Sequence, residues 1–267
     1  MSKLKYFWDA LYKIQIAIGA VTVPTEEYIW EDPLFAVEEW VHPDVTGSTR
    51  IIVTVKGGEL PGHFYEGVQH LHDKGIGVKF SLPVQEMPVD EFASQVADLC
   101  HYYELDGIDL VFDGELDCDV VQACRGALGK ESLLSCSISA KTIEKSQEKI
   151  AAILPYISQI ILFDFFEKKC DFEEEMRKLW GFGVPCQKIS FALEVGPHTE
   201  GKEVTTVAQC KKVAQAVREH ALFGLQLDSI QRDTDEREGA PAGPSKLQSG
   251  LPTGTFAGVV HKILLGN

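Results

Sequence analysis

A run of carboxylates follows one apolar segment of the chain. Asp109, Asp113 and Glu115 lie within residues 106–115, whose sequence is DGIDLVFDGE. In a β-strand, residues two apart share a face, so these three acids and Val111 are predicted to point the same way. Carboxylates brought together at a strand end raise one another's pKa or bind a cation. The spacing therefore indicates acid chemistry or metal binding.

Three further acids, Asp164, Glu194 and Asp228, lie near the ends of later apolar segments. If those segments are parallel strands of a barrel, their carboxyl ends meet where the reacting groups of such enzymes lie. Together with Asp113, the three acids would offer oxygen ligands to Mg²⁺ or Mn²⁺. A metal-dependent barrel enzyme is therefore one hypothesis. No histidine accompanies the acids at strand ends, so zinc is not expected.

The elements that would position these residues are eight short segments rich in Ile, Val, Leu and Phe, which is typical of parallel strands buried on both faces. Strands are predicted at 14–23, 50–55, 77–82, 107–112, 133–139, 159–165, 188–195 and 223–228. Helices are predicted at 62–74, 88–103, 119–129, 143–154, 172–181 and 204–220. This alternation predicts an α/β fold, a single-domain (β/α)8 TIM barrel over residues 1–267. An open doubly wound sheet is the structural alternative.

The segment 232–254 is charged and rich in Gly and Pro, so we expect a mobile loop there, before a closing helix at 256–265 that packs outside the barrel.

A second interpretation of the acids near residue 115 also comes from the helices. Glu115, Asp117 and Asp119 precede a predicted helix and favour its positive end, so they could serve as caps.

Composition excludes several function classes. With 40 acidic and 25 basic residues the formal net charge is -15, so nucleic acid and anionic membrane surfaces are not expected partners. The seven cysteines form no metal-ligand spacing and predict free thiols. Neither a signal peptide nor a membrane span is recognised, which predicts an intracellular, cytoplasmic protein. The chain lacks nucleotide-binding and nucleophile-elbow motifs, so no cofactor is predicted.

Residues 106–113, DGIDLVFD, resemble the D-G-x-D-x-D-x-E strand of glycoside hydrolase family 18, the chitinases and endo-β-N-acetylglucosaminidases. Residues 161–164, ILFD, are similar to the M-x-Y-D element of that family. Residues 75–82 resemble its third strand, and residues 224–228 lie where its eighth strand ends in Trp. The resemblance spans most of the predicted barrel, and its specific part is the fourth strand.

The resemblance implies a retaining mechanism in which the last Glu of the motif protonates the glycosidic oxygen and the acetamido group of the substrate attacks the anomeric carbon. Here Asp113 occupies the acid position, one methylene shorter, and a misplacement of about 1 Å can cost roughly 100-fold in rate. Val111 replaces the Asp that orients the acetamide, Phe163 replaces the Tyr, and Asp228 replaces the Trp. These changes predict a catalytically inactive or strongly impaired protein.

A second alignment keeps an active hydrolase open. If Val111 and Phe112 are an insertion, Glu115 becomes the acid and Asp113 its partner. An even insertion keeps side chains on the same face, although it moves the acid about 6–7 Å along the strand. A chitinase or endo-β-N-acetylglucosaminidase that uses Glu115 or Asp113 is therefore the alternative.

The ungapped alignment is most similar to the narbonin group, family 18 barrels of plant seeds that are regarded as storage or binding proteins. The resemblance implies a glycan-binding, storage or structural protein, and the expected partner is a glycan that contains N-acetylglucosamine. The residues predicted to bind it are Asp164, Phe163, Glu194 and Asp228. Aromatic residues that could stack on sugars, or instead pack in the core and loops, are Trp30, Trp40, Tyr65, Phe165 and Phe166.

Overall fold

The computed structural model describes residues 25–30, 50–56, 64–163, 172–195, 205–228, 233 and 255–265. The strands are β1 Thr25–Trp30, β2 Arg50–Lys56, β3 Gly77–Pro83, β4 Gly107–Phe112, β5 Leu133–Ser139, β6 Gln159–Phe163, β7 Ile189–Glu194 and β8 Gly224–Asp228. The helices are α1 Phe64–Asp73, α2 Val89–Tyr102, α3 Cys118–Leu128, α4 Ala140–Lys145, α5 Gln147–Ile153, α6 Phe172–Gly181, α7 Val207–Glu219 and α8 Thr255–Leu265, with a short 3-10 helix at Cys186–Lys188.

The eight strands form a closed parallel barrel. Each strand pairs with the next one in the sequence, and β8 pairs with β1. The predicted (β/α)8 TIM barrel is therefore confirmed, and the open doubly wound sheet is excluded. All carboxyl ends of the strands lie at one end of the barrel, which we call the mouth.

The large apolar core lies between the strands and the helices. On β4, Ile108, Leu110 and Phe112 are buried in this core, whereas Asp109 between them faces the inside of the barrel. The same alternation runs through the other strands, because successive side chains of a strand point to opposite faces. The helices therefore cover an apolar surface, and the inside of the barrel is free to be polar.

The first strand was predicted wrongly. We expected it at 14–23, which lies outside the described residues, and the strand that closes the barrel is Thr25–Trp30. The prediction followed the apolar run, and charged residues such as Glu26 and Glu27 are rarely buried unless they are paired. Both glutamates are buried in β1, because each meets a basic partner: Lys79 lies 2.5 Å from Glu27, and His261 lies 2.7 Å from Glu26.

The other strands begin and end within about two residues of their predicted bounds, although the segment predicted at 159–165 is described only as far as Phe163. The helix predicted at 143–154 is two helices, α4 and α5, that meet at Ser146. The Ser146 hydroxyl accepts a hydrogen bond from the backbone N–H of Leu116 at 2.9 Å. This break therefore supports the loop that follows β4.

The closing helix α8 begins at Thr255 and packs against α7, outside the barrel. Its amino end is capped from a distance, since the carboxylate of Asp233 accepts the backbone N–H groups of Phe256 at 3.2 Å and Ala257 at 3.0 Å. Asp233 belongs to the predicted loop at 232–254, whose other residues lie outside the described ranges.

His72 of α1 contacts the segment that precedes β4. It is buried, and its Nε2 lies 2.8 Å from Oδ2 of Asp106, the first residue of the DGIDLVFD segment. The same Oδ2 accepts the backbone N–H of Val78 at 2.7 Å. Asp106 therefore joins β4 to β3 and α1 at the amino ends of the strands, far from the mouth.

Two expectations from composition concern the cysteines and the membrane. Six of the seven cysteines are described, and each of these six carries a free thiol, while Cys170 lies outside the described residues. Among the described helices, none combines the length and apolar character needed to cross a bilayer.

We predict that Gly107→Ala destabilises the barrel by about 3 kcal/mol or more. A Cβ atom on Gly107 would lie 2.0 Å from the backbone oxygen of Leu133 on the neighbouring strand, so the sheet itself would have to move. Gly126→Ala on α3 is the matched control, because nothing lies within 4 Å of its Cβ position and alanine should stabilise the helix by about 0.5–1 kcal/mol. Urea unfolding of both variants measures the difference, and equal stabilities would contradict the prediction.

Candidate functional site

Four layers of side chains fill the barrel from its middle to its mouth. TIM barrels stack four side chains per layer, contributed by alternate strands, and bulky branched residues usually dominate. The strand register here gives a first layer of Glu27, Lys79, Ser135 and Ser190, and above it a second layer of Thr54, Asp109, Ile161 and Gln226. Ser81, Ser137 and Ala192 belong to the third layer, and Val111, Phe163 and Asp228 to the fourth.

The first layer contains a buried ion pair. Lys79 Nζ lies 2.5 Å from Glu27 Oε1 and donates to Ser135 Oγ at 3.1 Å. Glu27 also accepts hydrogen bonds from Thr54 at 2.5 Å and from Gln159 at 2.9 Å. Burial alone would raise the pKa of Glu27, but the charge of Lys79 and the hydrogen bonds from Lys79, Thr54 and Gln159 together lower it. Glu27 therefore stays ionised at the centre of the barrel.

The carboxylate of Asp109 lies directly above this pair and accepts three serine hydroxyls. Ser135 donates to Oδ1 at 2.7 Å, while Ser137 at 2.7 Å and Ser81 at 3.0 Å donate to Oδ2. Asp109 is 2 % exposed. The carboxylate of Asp109, which was predicted to belong to the site, is thus enclosed by serine hydroxyls and does not reach the mouth.

The mouth brings together only some of the predicted site residues. Val111 and Phe163 are half-buried above Asp109, and Asp113 is exposed just beyond the end of β4. Glu194 and Asp228 are direct neighbours in the register of β7 and β8. Since β4 and β8 lie on opposite sides of an eight-stranded barrel, Asp113 and this pair lie on opposite sides of the mouth. Asp164 lies outside the described residues.

Glu115 does not continue the alternation of β4. Gly114, with φ at 142°, turns the chain in a conformation that favours glycine. Glu115 then forms an exposed ion pair with Lys149 of α5 at 2.8 Å, and Lys149 also donates to the carbonyl of Leu116 at 3.0 Å. The hydrogen bond and charge of Lys149 lower the pKa of Glu115. The side chain is thereby drawn towards the helix layer.

The capping interpretation holds for Asp117. Its Oδ1 accepts the backbone N–H groups of Asp119 at 3.0 Å and Val120 at 3.2 Å, which caps α3. Metal binding has less support, because no group of three His, Cys, Asp or Glu residues that could hold a metal ion occurs in the described part of the chain. Since Asp164 is not described, this finding bears on Asp113, Glu194 and Asp228 alone.

Of the aromatic residues predicted to stack on sugars, Tyr65 lies away from the mouth. The hydroxyl of Tyr65 on α1 donates to Glu104 at 3.0 Å, and Glu104 lies in the connection before β4, at the amino ends of the strands. Of the remaining residues, Trp40, Phe165 and Phe166 lie outside the described ranges, and only the backbone of Trp30, at the end of β1, is described. The described aromatic ring at the mouth is that of Phe163.

Sequence reasoning missed the polar residues inside the barrel. The residues concerned are Lys79, Ser81, Ser135, Ser137 and Gln226. They interrupt apolar strands at alternate positions, on the face that carries Asp109 in β4. That period of two was the available signal, since polar residues on one face of an otherwise apolar strand indicate a polar interior.

The fold and its interior define a closed (β/α)8 barrel with a polar centre and a mouth edged by carboxylates. Solved structures with this architecture include catalytic-site mutants of active domain 2 of a thermostable chitinase from Pyrococcus furiosus, complexed with chito-oligosaccharides. Its TM-score is 0.69 at 13 % identity, and the alignment covers 92 % of this chain and 96 % of that one.

The catalytic domain of a family GH18 chitinase from the fern Peteris ryukyuensis is similar at a TM-score of 0.61 and 12 % identity, with 91 % of this chain and 100 % of that chain covered. A family 18 chitinase from Crocus vernus has a TM-score of 0.54 at 13 % identity, with 77 % and 92 % covered. No family model and no curated protein sequence matches the chain. The chain therefore has the fold of family 18 chitinase domains.

We predict that Lys79→Met destabilises the protein by about 3–5 kcal/mol, because it leaves the Glu27 carboxylate buried without its cation. The double variant Glu27→Gln/Lys79→Met removes both charges and should recover most of that loss. Denaturant unfolding of Glu27→Gln, Lys79→Met and the double variant measures the coupling. If the two single changes simply add, the ion pair does not determine the stability of the barrel centre.

Acid should weaken the same interaction. Because the pKa of Glu27 is lower in the folded state than its ordinary 4.5, its contribution is fully present above about pH 4.5 and is lost as pH falls through the folded pKa. Unfolding free energies measured from pH 6 down to pH 3 should therefore fall more steeply for the natural chain than for Glu27→Gln/Lys79→Met. Parallel curves would contradict this assignment.

Proposed function

We propose that this protein is a family 18-like barrel that binds a glycan containing N-acetylglucosamine at its mouth without hydrolysing it. The single observation that carries the proposal is the residue above Asp109. Val111 occupies the inward position between the enclosed carboxylate and the mouth. An isopropyl group can neither accept a hydrogen bond nor carry charge, so nothing on this strand links Asp109 to a bound substrate.

The two candidate acids support the same conclusion for different reasons. A general acid must hold a proton at neutral pH and lie within hydrogen-bond reach of the leaving oxygen. Glu115 is paired with Lys149, which lowers its pKa, so it lacks the proton. Asp113 is exposed beyond the end of β4, and its side chain is one methylene shorter than the Glu of the family 18 motif.

Glycan binding is supported by what remains at the mouth. Glu194 and Asp228 lie side by side and offer carboxylate oxygens that sugar hydroxyls can donate to, and the half-buried ring of Phe163 offers an apolar face. The fold is also that of a chitinase domain crystallised with chito-oligosaccharides. We carry this ligand class over to the present chain as a proposal.

The expected outcome is binding of chitotetraose without release of shorter sugars. Isothermal titration calorimetry measures binding, and chromatography of a labelled tetrasaccharide after prolonged incubation measures hydrolysis. An N-glycan core should be tested in the same way.

Two variants make the test specific. Glu115→Gln should change neither property, while Asp228→Ala should weaken binding several-fold by removing one acceptor. Turnover that Asp113→Ala or Glu115→Gln abolishes would overturn the inactive assignment in favour of a hydrolase. Absence of binding to either glycan would overturn the binding assignment and leave a storage or structural role.

A further inference from the structure

The last helix of the barrel is held by a carboxyl group that is distant in the sequence. Asp233 precedes Phe256 and Ala257, in the first turn of α8, by 23 and 24 positions. Its Oδ1 accepts the backbone N–H of Phe256 at 3.2 Å, and its Oδ2 accepts that of Ala257 at 3.0 Å. Because α8 packs against α7 on the outside of the barrel, this cap contributes to the attachment of the whole helix.

Asp233 is buried without a counter-charge in the described part of the chain. The residue is 6 % exposed, and Phe256 and Ala257 beside it are buried too. Its described hydrogen-bond partners are the two backbone N–H groups of α8, and no described cation pairs with it. A carboxylate removed from water in this way is destabilised relative to the neutral carboxylic acid, because burial penalises the charged form.

Glu27 shows how this protein treats a buried carboxylate that stays charged. It lies 2.5 Å from the ammonium group of Lys79 and accepts further hydrogen bonds from Thr54 and Gln159. Those partners lower the pKa of Glu27 in spite of its burial. Asp233 has two backbone N–H groups in place of a cation, so the balance at this position is different.

Two influences on Asp233 oppose each other. The backbone N–H groups and the positive end of α8 favour the carboxylate, whereas burial favours the proton. Burial is the larger effect and raises the pKa of Asp233 from 3.8 to about 6. A protonated Asp233 still caps the helix, since a proton on Oδ1, which makes the longer bond, leaves Oδ2 to accept from Ala257.

The other titratable groups of the packed helices do not supply the missing charge. From α7, the buried thiol of Cys210 senses the charge of Asp233, and burial followed by that charge raises the pKa of Cys210 to about 12. The neighbouring Lys211 is exposed. On α8, His261 contacts β1 and Lys262 is exposed. Among these described groups, Asp233 is therefore the one whose own charge is exchanged in mildly acidic solution.

We infer that Asp233 is a pH-dependent cap of α8, which holds the helix on the barrel more firmly as the neutral acid than as the carboxylate. This device is independent of what the mouth binds. Because the folded pKa lies above the ordinary one, the charge costs stability above about pH 6, and the cost disappears as pH falls towards 3.8. Glu27 contributes in the opposite direction and is lost only below about pH 4.5. The two groups together favour mildly acidic surroundings.

Hydrogen exchange of the natural chain tests the inference at the helix itself. The protection factors of the Phe256 and Ala257 amides should rise about tenfold between pH 7 and pH 5, because opening of the cap exposes Asp233 to water. The amides of Asp119 and Val120 are the internal control, since their cap on α3, Asp117, is exposed. Equal changes at both helices, or a fall at α8, would overturn the inference.

Asp233→Asn provides the second test, because it keeps an oxygen acceptor and cannot ionise. Between pH 7 and pH 5 the folding equilibrium constant of the natural chain should rise about tenfold relative to that of this variant, measured by urea unfolding. Asp117→Asn makes the same change in net charge at an exposed cap, so its pH profile should follow the natural chain. Parallel profiles for the natural chain and Asp233→Asn would overturn the inference. If Asp233→Asn does not fold, the exchange measurement decides alone.

Discussion

The buried ion pair of Glu27 and Lys79 determines what the inside of this barrel can contain. Two charges removed from water require nearby hydrogen-bonding groups, because desolvation otherwise outweighs their attraction. Thr54, Gln159 and Ser135 supply those groups from three other strands. Polar side chains thus occupy seven of the eight positions in the first two layers, where branched apolar residues usually dominate in a TIM barrel, and the large apolar core lies between the strands and the helices.

The same centre explains the state of Asp109. Ser135 belongs to both networks, since it accepts from Lys79 and donates to Asp109. The carboxylate is therefore held by Ser135 below it and by Ser81 and Ser137 above it, and it needs no ligand from the mouth. In a catalytic strand the acids would be linked upward to the substrate. Here the polar network of the described residues ends at Ser81 and Ser137, and Val111 and Phe163 of the fourth layer lie between it and the mouth.

The sequence predicted the architecture well, because seven of the eight strands are apolar runs bounded by polar turns, which local composition reveals. The first strand was missed since Glu26 and Glu27 are acceptable in a buried strand only through partners 52 and 235 residues away in the chain, Lys79 and His261. Likewise, Asp109, Asp113 and Glu115 were predicted to lie on one continuous face of β4. Local pattern could not show that Gly114 turns the chain and that Lys149 takes Glu115.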